Sequence, residues 1–127
     1  AEMVGASFAG ANFTGVRPSG VEAMGANFVR ANLAGAVLSG AELGGANLNG
    51  ANMTRANFAA VEMFGATLAN VAAQGANFSN AEINASNLSN GDFRGAVFRN
   101  ATLDGARLTG GQFGRADFTG ASLNRTD

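Results

Sequence analysis

Large apolar side chains stand at 22 of the 25 positions that follow one another at intervals of five from residue 3 to residue 123, and this spacing never changes. Of these 25 central positions, nine hold Phe, nine hold Leu, three hold Met and one holds Ile. Ala usually stands two residues before a central position, and Gly often stands two residues after it. A period of five matches neither the 3.6-residue period of an α-helix nor the two-residue alternation of a long strand. The chain is therefore built from an internal repeat.

Each five-residue unit is expected to form a short extended side followed by a corner. The Ala and the central residue are two positions apart, so they point to the same face of an extended segment. Gly at the corner accepts backbone angles that a Cβ atom disfavours. Four sides return the chain to its starting point, so 20 residues make one coil and the 127 residues make about six. The pattern predicts an all-β quadrilateral parallel β-helix, a solenoid, as a single domain over residues 1–127.

The interior of this solenoid is predicted to be filled by the central side chains. Burial of such groups contributes about 1.5–3 kcal/mol each. The predicted core consists of Phe8, Phe13, Phe28, Leu33, Leu38, Leu43, Leu48, Met53, Phe58, Leu68, Phe78, Ile83, Leu88, Phe93, Phe98, Leu103, Leu108, Phe113 and Phe118.

Three central positions lack a bulky side chain, and in each of these units Val replaces the preceding inward Ala. A larger residue at one inward site is expected to replace the volume lost at the other. Pro18 also has no N–H group, so one hydrogen bond between coils should be missing there. We expect a bulge or distorted turn within residues 16–25. The residues assigned to irregular coil are Val16, Pro18, Val21, Ala23, Val71 and Ala73.

Individual units are similar to a known repeat. Examples are Ala11-Asn12-Phe13-Thr14-Gly15, Ala31-Asn32-Leu33-Ala34-Gly35 and Ala116-Asp117-Phe118-Thr119-Gly120. These units resemble the pentapeptide-repeat family over essentially the whole chain. The resemblance implies a right-handed β-helix and a mostly bacterial distribution. One branch of that family protects type II topoisomerases from quinolones by imitating DNA.

Composition and charge limit the function classes. The net charge of −1 argues against a nucleic-acid binder and against polybasic attachment to a membrane. The chain has no Cys, His, Lys, Tyr or Trp, so most common acid–base and nucleophilic groups are missing. We therefore predict a protein that is not an enzyme and needs no cofactor and no metal.

One side of the coil carries all five Glu of the chain. With a period of 20, the position before the central residue reads Glu2, Glu22, Glu42, Glu62 and Glu82. Met24 and Phe64, each just after a central residue of this side, complete a candidate partner-binding face. The alternative is a solvated acidic face that only keeps the rod soluble, with Met24 folded inward beside Ala23. Ca²⁺ binding by the Glu column is disfavoured, because no unit carries several converging oxygens.

Asn side chains also recur in columns, as at Asn12, Asn32 and Asn52. We expect them to bond along the rod in an amide ladder. The preferred function is a scaffold or protein-interaction module with an unknown protein partner. The alternatives are a DNA-mimicking regulator of a type II topoisomerase and a rigid spacer within a longer chain. End-to-end self-association is expected, because the repeat runs to both ends of the sequence. The expected location is the cytoplasm, with an exported compartment (periplasm or thylakoid lumen) as the alternative, because the first residue is not Met.

Overall fold

The chain winds into a parallel β-helix with four sides to each coil. The computed structural model describes residues 2–127, and within them the sheet consists of single-residue parallel bridges that always join residues 20 apart. The bridges form four columns, which define the sides of the rod. The first side contains residues 2, 22, 42, 62, 82, 102 and 122, the second 7, 27, 47, 67, 87 and 107, the third 12, 32, 52, 72, 92 and 112, and the fourth 37, 57, 77, 97 and 117.

The same backbone hydrogen bonds recur from coil to coil. The central Leu48 donates its N–H to the carbonyl of Thr67 at 2.7 Å, and Gly50 donates to Ala69 at 3.0 Å. From Asn27 onward, the bridging residue of each unit donates in the opposite direction, to the coil before. A fourth bond closes the corner, as between the N–H of Ala51 and the carbonyl of Leu48 at 2.9 Å. Each side is thereby held to both neighbouring coils although no long strand forms.

Every corner contains one residue with a positive φ, two positions after the central residue. The closing hydrogen bond together with this φ is typical of a type II turn. Gly fills fifteen of these corners, with φ between 62° and 73°. Ten others hold a residue with a Cβ atom, at φ between 56° and 60°: Arg30, Arg55, Ala60, Asn70, Asn80, Ala85, Asn90, Asn100, Arg115 and Arg125. Asn tolerates this region, whereas Ala and Arg are strained there.

The interior consists of the central side chains and the small residues two positions before them. From Val21 to Ala106 the large central side chains are almost fully buried, and Leu48, Phe58 and Phe78 have no exposed surface. Five predicted core residues near the ends of the rod are only partly buried: Phe8, Phe13, Leu108, Phe113 and Phe118. Their burial is incomplete because the first and last described coils each have a neighbouring described coil on one side only.

Aromatic rings stack along the rod axis. On the fourth side, the ring centroids of Phe58 and Phe78 lie 5.5 Å apart, those of Phe78 and Phe98 5.1 Å, and those of Phe98 and Phe118 4.9 Å. The interplanar angles are 8°, 7° and 3°. These distances are close to the spacing of neighbouring strands, about 4.8 Å. Each coil therefore contributes one ring to the stack.

The backbone is irregular at residues 16–20 and regular in the other units assigned to irregular coil. The prediction is wrong for Val21, Ala23, Val71 and Ala73, which lie in units with ordinary bridges and turns. There, Val beside Ala supplies the missing volume without a change of backbone. Only the proline unit departs from the pattern, because Pro18 has no N–H to donate to the next coil.

Pro18 therefore does not contribute to the interior. It is exposed, and among residues 2–127 the bridge expected between Arg17 and Val37 is absent. A cavity of about 350 Å³ lies beside this unit, and Pro18 is itself one of the residues that line it. Its walls are largely apolar and include Phe13, Val16 and Leu38.

Candidate functional site

The Glu column is held in register by the backbone bridges of the first side. These bridges join Glu2, Glu22, Glu42, Glu62 and Glu82 in sequence along the rod. Four of the five residues are exposed, and Glu42 is half-buried. Because successive bridges are one coil apart, the column presents one carboxylate per coil over five coils.

None of these five Glu carboxylates has a hydrogen-bond or ion-pair partner among residues 2–127. Like charges one coil apart repel by about 1 kcal/mol or less when they are solvated. The neighbouring corners offer no cation, since residues 20, 40, 60 and 80 on one edge and 25, 45, 65 and 85 on the other are Gly, Ala or Asn. The column is thus an acidic surface that the rod itself leaves uncompensated.

The Asp residues near the C-terminal end differ from the Glu column because they are engaged. Asp92 accepts hydrogen bonds from Arg94 at 2.6 Å and from Gln74 at 2.7 Å, and its pKa is lowered mainly by Arg94. The hydroxyl of Ser122 donates to Asp104 at 2.6 Å and is the main cause of its lowered pKa.

Asp117 is also engaged within the rod. It accepts the hydroxyl and N–H hydrogens of Thr119 and pairs with Arg99. These contacts, led by that of Thr119, lower the pKa of Asp117 from 3.8 to about 2. The three carboxylates Asp92, Asp104 and Asp117 thus take part in internal structure.

The exposed large apolar side chains are concentrated on the first side. Among residues 2–127 they are Val4, Met24, Phe64 and Leu123. The first three follow a central position and face outward on this side, whereas Leu123 is itself a central residue that is exposed in the last described coil. Phe64 is 64% exposed and Met24 is 47% exposed. Met24 therefore points outward, and the alternative in which it folds inward beside Ala23 is wrong.

Gly44 separates Met24 from Phe64 in the column of residues that follow the central position. A Cβ atom on Gly44 would lie 3.7 Å from the carbonyl oxygen of Phe64 and 3.9 Å from Cγ of Met24. The missing side chain leaves a shallow notch with an apolar side chain in the coil on either side. This notch lies beside the middle of the Glu column, next to Glu42.

The Asn columns do not form the expected amide ladder. The side-chain oxygens of Asn27, Asn47 and Asn87 instead accept the backbone N–H two residues later in their own units, at 2.9–3.0 Å. Asn12, Asn32 and Asn52 do the same at 3.0–3.1 Å. These bonds stabilise the corners of the units that contain Asn. Among residues 2–127, the second and third sides carry no column of charged residues comparable to the Glu column.

Residues 2–127 contain no cluster of three or more His, Cys, Asp or Glu side chains suited to a metal ion. In the same residues, no helix has the length and hydropathy needed to span a bilayer. Arg94 and Arg115 line an open groove on the third side, but Arg94 is already paired with Asp92.

Comparison with known proteins bears on the fold. A family model described as pentapeptide repeats matches residues 1–40, 31–68, 62–100 and 96–127, in 8 copies. A pentapeptide repeat protein from the cyanobacterium Cyanothece 51142 has a similar solved structure, with a TM-score of 0.65 and 20% identity over 98% of this chain and 89% of that one. No curated protein matches the chain significantly.

Two further solved structures are informative for different reasons. A pentapeptide repeat protein from the Arabidopsis thaliana thylakoid lumen has a TM-score of 0.53 and 22% identity, over 94% of this chain and 66% of that one. QnrB1, a plasmid-mediated fluoroquinolone resistance protein, has 22% identity over 97% of this chain and 72% of that one, but a TM-score of only 0.37. The first likeness supports the fold, and the second carries no argument about function.

Proposed function

Since the chain belongs to the pentapeptide-repeat family, we propose that it is a non-catalytic scaffold whose first side docks a protein partner. The docking face comprises the Glu column together with Met24, Gly44 and Phe64. One observation carries this proposal: the five unpartnered carboxylates share an outer surface with Val4, Met24 and Phe64, the exposed large apolar side chains among residues 2–127 that follow a central position.

This coincidence fits an interface better than a purely solubilising face. Solubility requires charge but is not served by an exposed Phe ring, whereas interfaces combine an apolar anchor with a polar surround. Glu42 and Glu62 are one coil apart and lie beside the apolar pair Met24 and Phe64. A partner that covers this region gains apolar burial and relieves repulsion between the carboxylates.

Site-specific photocrosslinking in cells of the source organism tests the docking face. A photoreactive phenylalanine at position 64 is compared with one at position 74, on the opposite third side. We expect a discrete protein adduct from position 64 that disappears when Glu42→Arg is added, and none from position 74. Equal adducts from both positions, or none from position 64, would contradict the proposal.

A DNA-mimicking regulator of a type II topoisomerase is the second candidate. The regular row of carboxylates favours it, because it resembles a row of backbone phosphates. The net charge of −1 opposes it, since duplex DNA carries about one charge per 1.7 Å. A gyrase supercoiling assay separates the two functions: protection from a quinolone that is lost in Glu22→Gln/Glu42→Gln/Glu62→Gln supports mimicry.

Several finer properties belong to the same proposal. We propose that the coils wind to the right, that the protein acts in the cytoplasm, and that copies associate end to end. Sedimentation velocity at high micromolar concentration tests the last point, and a clean monomer would contradict it. The spacer role remains the third candidate, supported only by the regularity of the rod.

A further inference from the structure

We propose that the partner element accepted by the docking face is a basic amphipathic α-helix that lies along the rod axis. The inference rests on the proposed function and specifies the chemistry of the occupant. Two features carry it: the spacing of the Glu column and the lateral arrangement of acidic and apolar side chains on the first side.

The spacing of the carboxylates matches the pitch of an α-helix. The column repeats once per coil, and stacked rings such as those of Phe98 and Phe118 lie 4.9 Å apart along the same axis. An α-helix has a pitch of about 5.4 Å. One basic residue per helical turn therefore drifts by only about 2 Å over the four steps from Glu2 to Glu82, relative to a coil spacing of about 4.8 Å.

An extended segment matches the column less well. Side chains on one face of a strand repeat at about 6.6 Å, so the same four steps would accumulate a mismatch of about 7 Å. Flexible Arg, Lys and Glu side chains can absorb the smaller error but not the larger one. A helix of about 13 residues is also long enough to follow the whole column, which spans about 19 Å.

The lateral arrangement fits a helix with two adjacent stripes. The Glu residues precede the central position, whereas Val4, Met24 and Phe64 follow it on the same outer face. A partner helix therefore needs a basic stripe beside an apolar stripe. The absence of a side chain at Gly44 leaves a shallow notch between Met24 and Phe64, against which one apolar residue of the helix can pack.

A second copy of the chain does not supply this chemistry. Its eight Arg residues are spread over several sides, with Arg107 on the second, Arg94 on the third and Arg99 on the fourth. None of the four columns contains a run of cations that could face five Glu residues one coil apart. A separate cationic helix is therefore the better complement.

The test uses a synthetic, end-blocked peptide of about 18 residues with Arg once per helical turn and Leu on the adjacent stripe. Binding is measured by fluorescence anisotropy, and peptide helicity by circular dichroism. We expect binding that increases helicity. We expect Phe64→Ser to weaken it about tenfold or more, and Glu22→Gln/Glu42→Gln/Glu62→Gln to weaken it similarly and to reduce its salt dependence.

Matched controls separate this inference from non-specific attraction. The variant Ala72→Arg/Gln74→Ser alters the opposite third side and should leave the affinity unchanged. A peptide of identical composition but alternating order, which favours a strand, should bind at least tenfold more weakly. A different outcome is that the strand-ordered peptide binds as tightly as the helical one or more tightly, with an affinity that Phe64→Ser still lowers. That result would overturn the inference of a helical partner but would be consistent with the docking face.

Two other outcomes also contradict the inference. Failure of the helical peptide to bind would overturn it, while crosslinking at position 64 would still decide the proposed function on its own. Peptide binding that is insensitive to Phe64→Ser and to the Glu substitutions would show that the helix is held elsewhere on the rod.

Discussion

The ring of Phe93 lies over Gly91, two residues earlier in the same unit, so closely that a Cβ atom on Gly91 would come within 2.3 Å of Cε2 of the ring. The next coil repeats this relationship, because a Cβ on Gly111 would lie 2.5 Å from Cε2 of Phe113. The two rings stack at 5.2 Å with an interplanar angle of 5°. Gly therefore replaces the usual inward Ala where a ring occupies the space of its methyl group.

Gly91→Ala should destabilise the rod by about 1–3 kcal/mol, because the added methyl group overpacks the interior. The variant Gly91→Ala/Phe93→Leu should recover much of this loss, since Leu has no ring to occupy the space of the added methyl group and already stands two residues after Ala in eight units of this chain. Chemical denaturation of the two single variants and the double variant gives the coupling between the sites. Additive effects would show that the ring and the methyl group do not compete.

Ala85→Gly should stabilise the protein by roughly 1 kcal/mol, because Ala85 has a φ of 58° that Gly adopts without the steric penalty of a Cβ atom. The reverse change one coil earlier, Gly65→Ala, should destabilise by a similar amount. Gly65 has a φ of 67°, and no atom lies within 4 Å of an added Cβ, so the cost is conformational. Melting temperatures that do not move in opposite directions would contradict this account.

Pro18→Leu should stabilise the N-terminal coil by about 1–3 kcal/mol if its side chain enters the cavity. Leu also restores an N–H that can donate to the coil containing Val37. Pro18→Gly serves as the control, since it restores the N–H without adding volume. A melting temperature of Pro18→Leu at or below that of Pro18→Gly would show that the cavity is not filled.

Phe64→Ser should change the free energy of unfolding by less than about 0.5 kcal/mol, as is usual for an exposed side chain. Phe78→Ala should cost about 3–5 kcal/mol, because Phe78 is fully buried and stacks on rings in both neighbouring coils. Urea denaturation measures both. A large loss in Phe64→Ser would mean that this ring supports the fold and would remove its value as a docking probe.

Asp117 should contribute to acid sensitivity. Its pKa in the folded protein is lowered to about 2, chiefly by Thr119 and then by Arg99. The Asp117 carboxylate therefore binds a proton less readily in the folded state than in the unfolded state. Its contribution to the free energy of unfolding is present above pH 4 and is lost as the pH falls from about 4 to 2. Asp117→Asn should show a smaller fall in melting temperature over this range. Identical pH profiles would contradict this role.

The inward positions and the corners follow directly from the five-residue pattern. Side-chain size identifies the inward positions, because a position that holds Phe in one unit and Leu or Met in another has to be apolar and able to accommodate a large side chain. The corner position was predictable for the same reason, since Gly there signals a positive φ. Family membership and the parallel β-helix are accordingly confirmed from repeats such as those around Phe13 and Leu33.

Local hydrogen bonding and side-chain rotation were not accessible from the sequence. Asn47 has two competing partners, the amide one coil away and the backbone N–H of its own corner, and the nearer group is the one it contacts. The position of the Phe93 ring over Gly91 depends on a rotation about its own side-chain bonds. The missing bridge beside Pro18 follows from the loss of one N–H, and substitutions such as Val21 with Ala23 have no comparable effect on the backbone.

The bridges of the rod always join residues 20 apart. Insertion or deletion of one whole coil would therefore lengthen or shorten the Glu column. Every side chain after the change would still face the same side of the rod. A change of five residues would instead rotate everything beyond it by a quarter turn and split the column between two walls. Length variation in such a molecule is quantised, and only steps of twenty residues preserve a surface that faces one way.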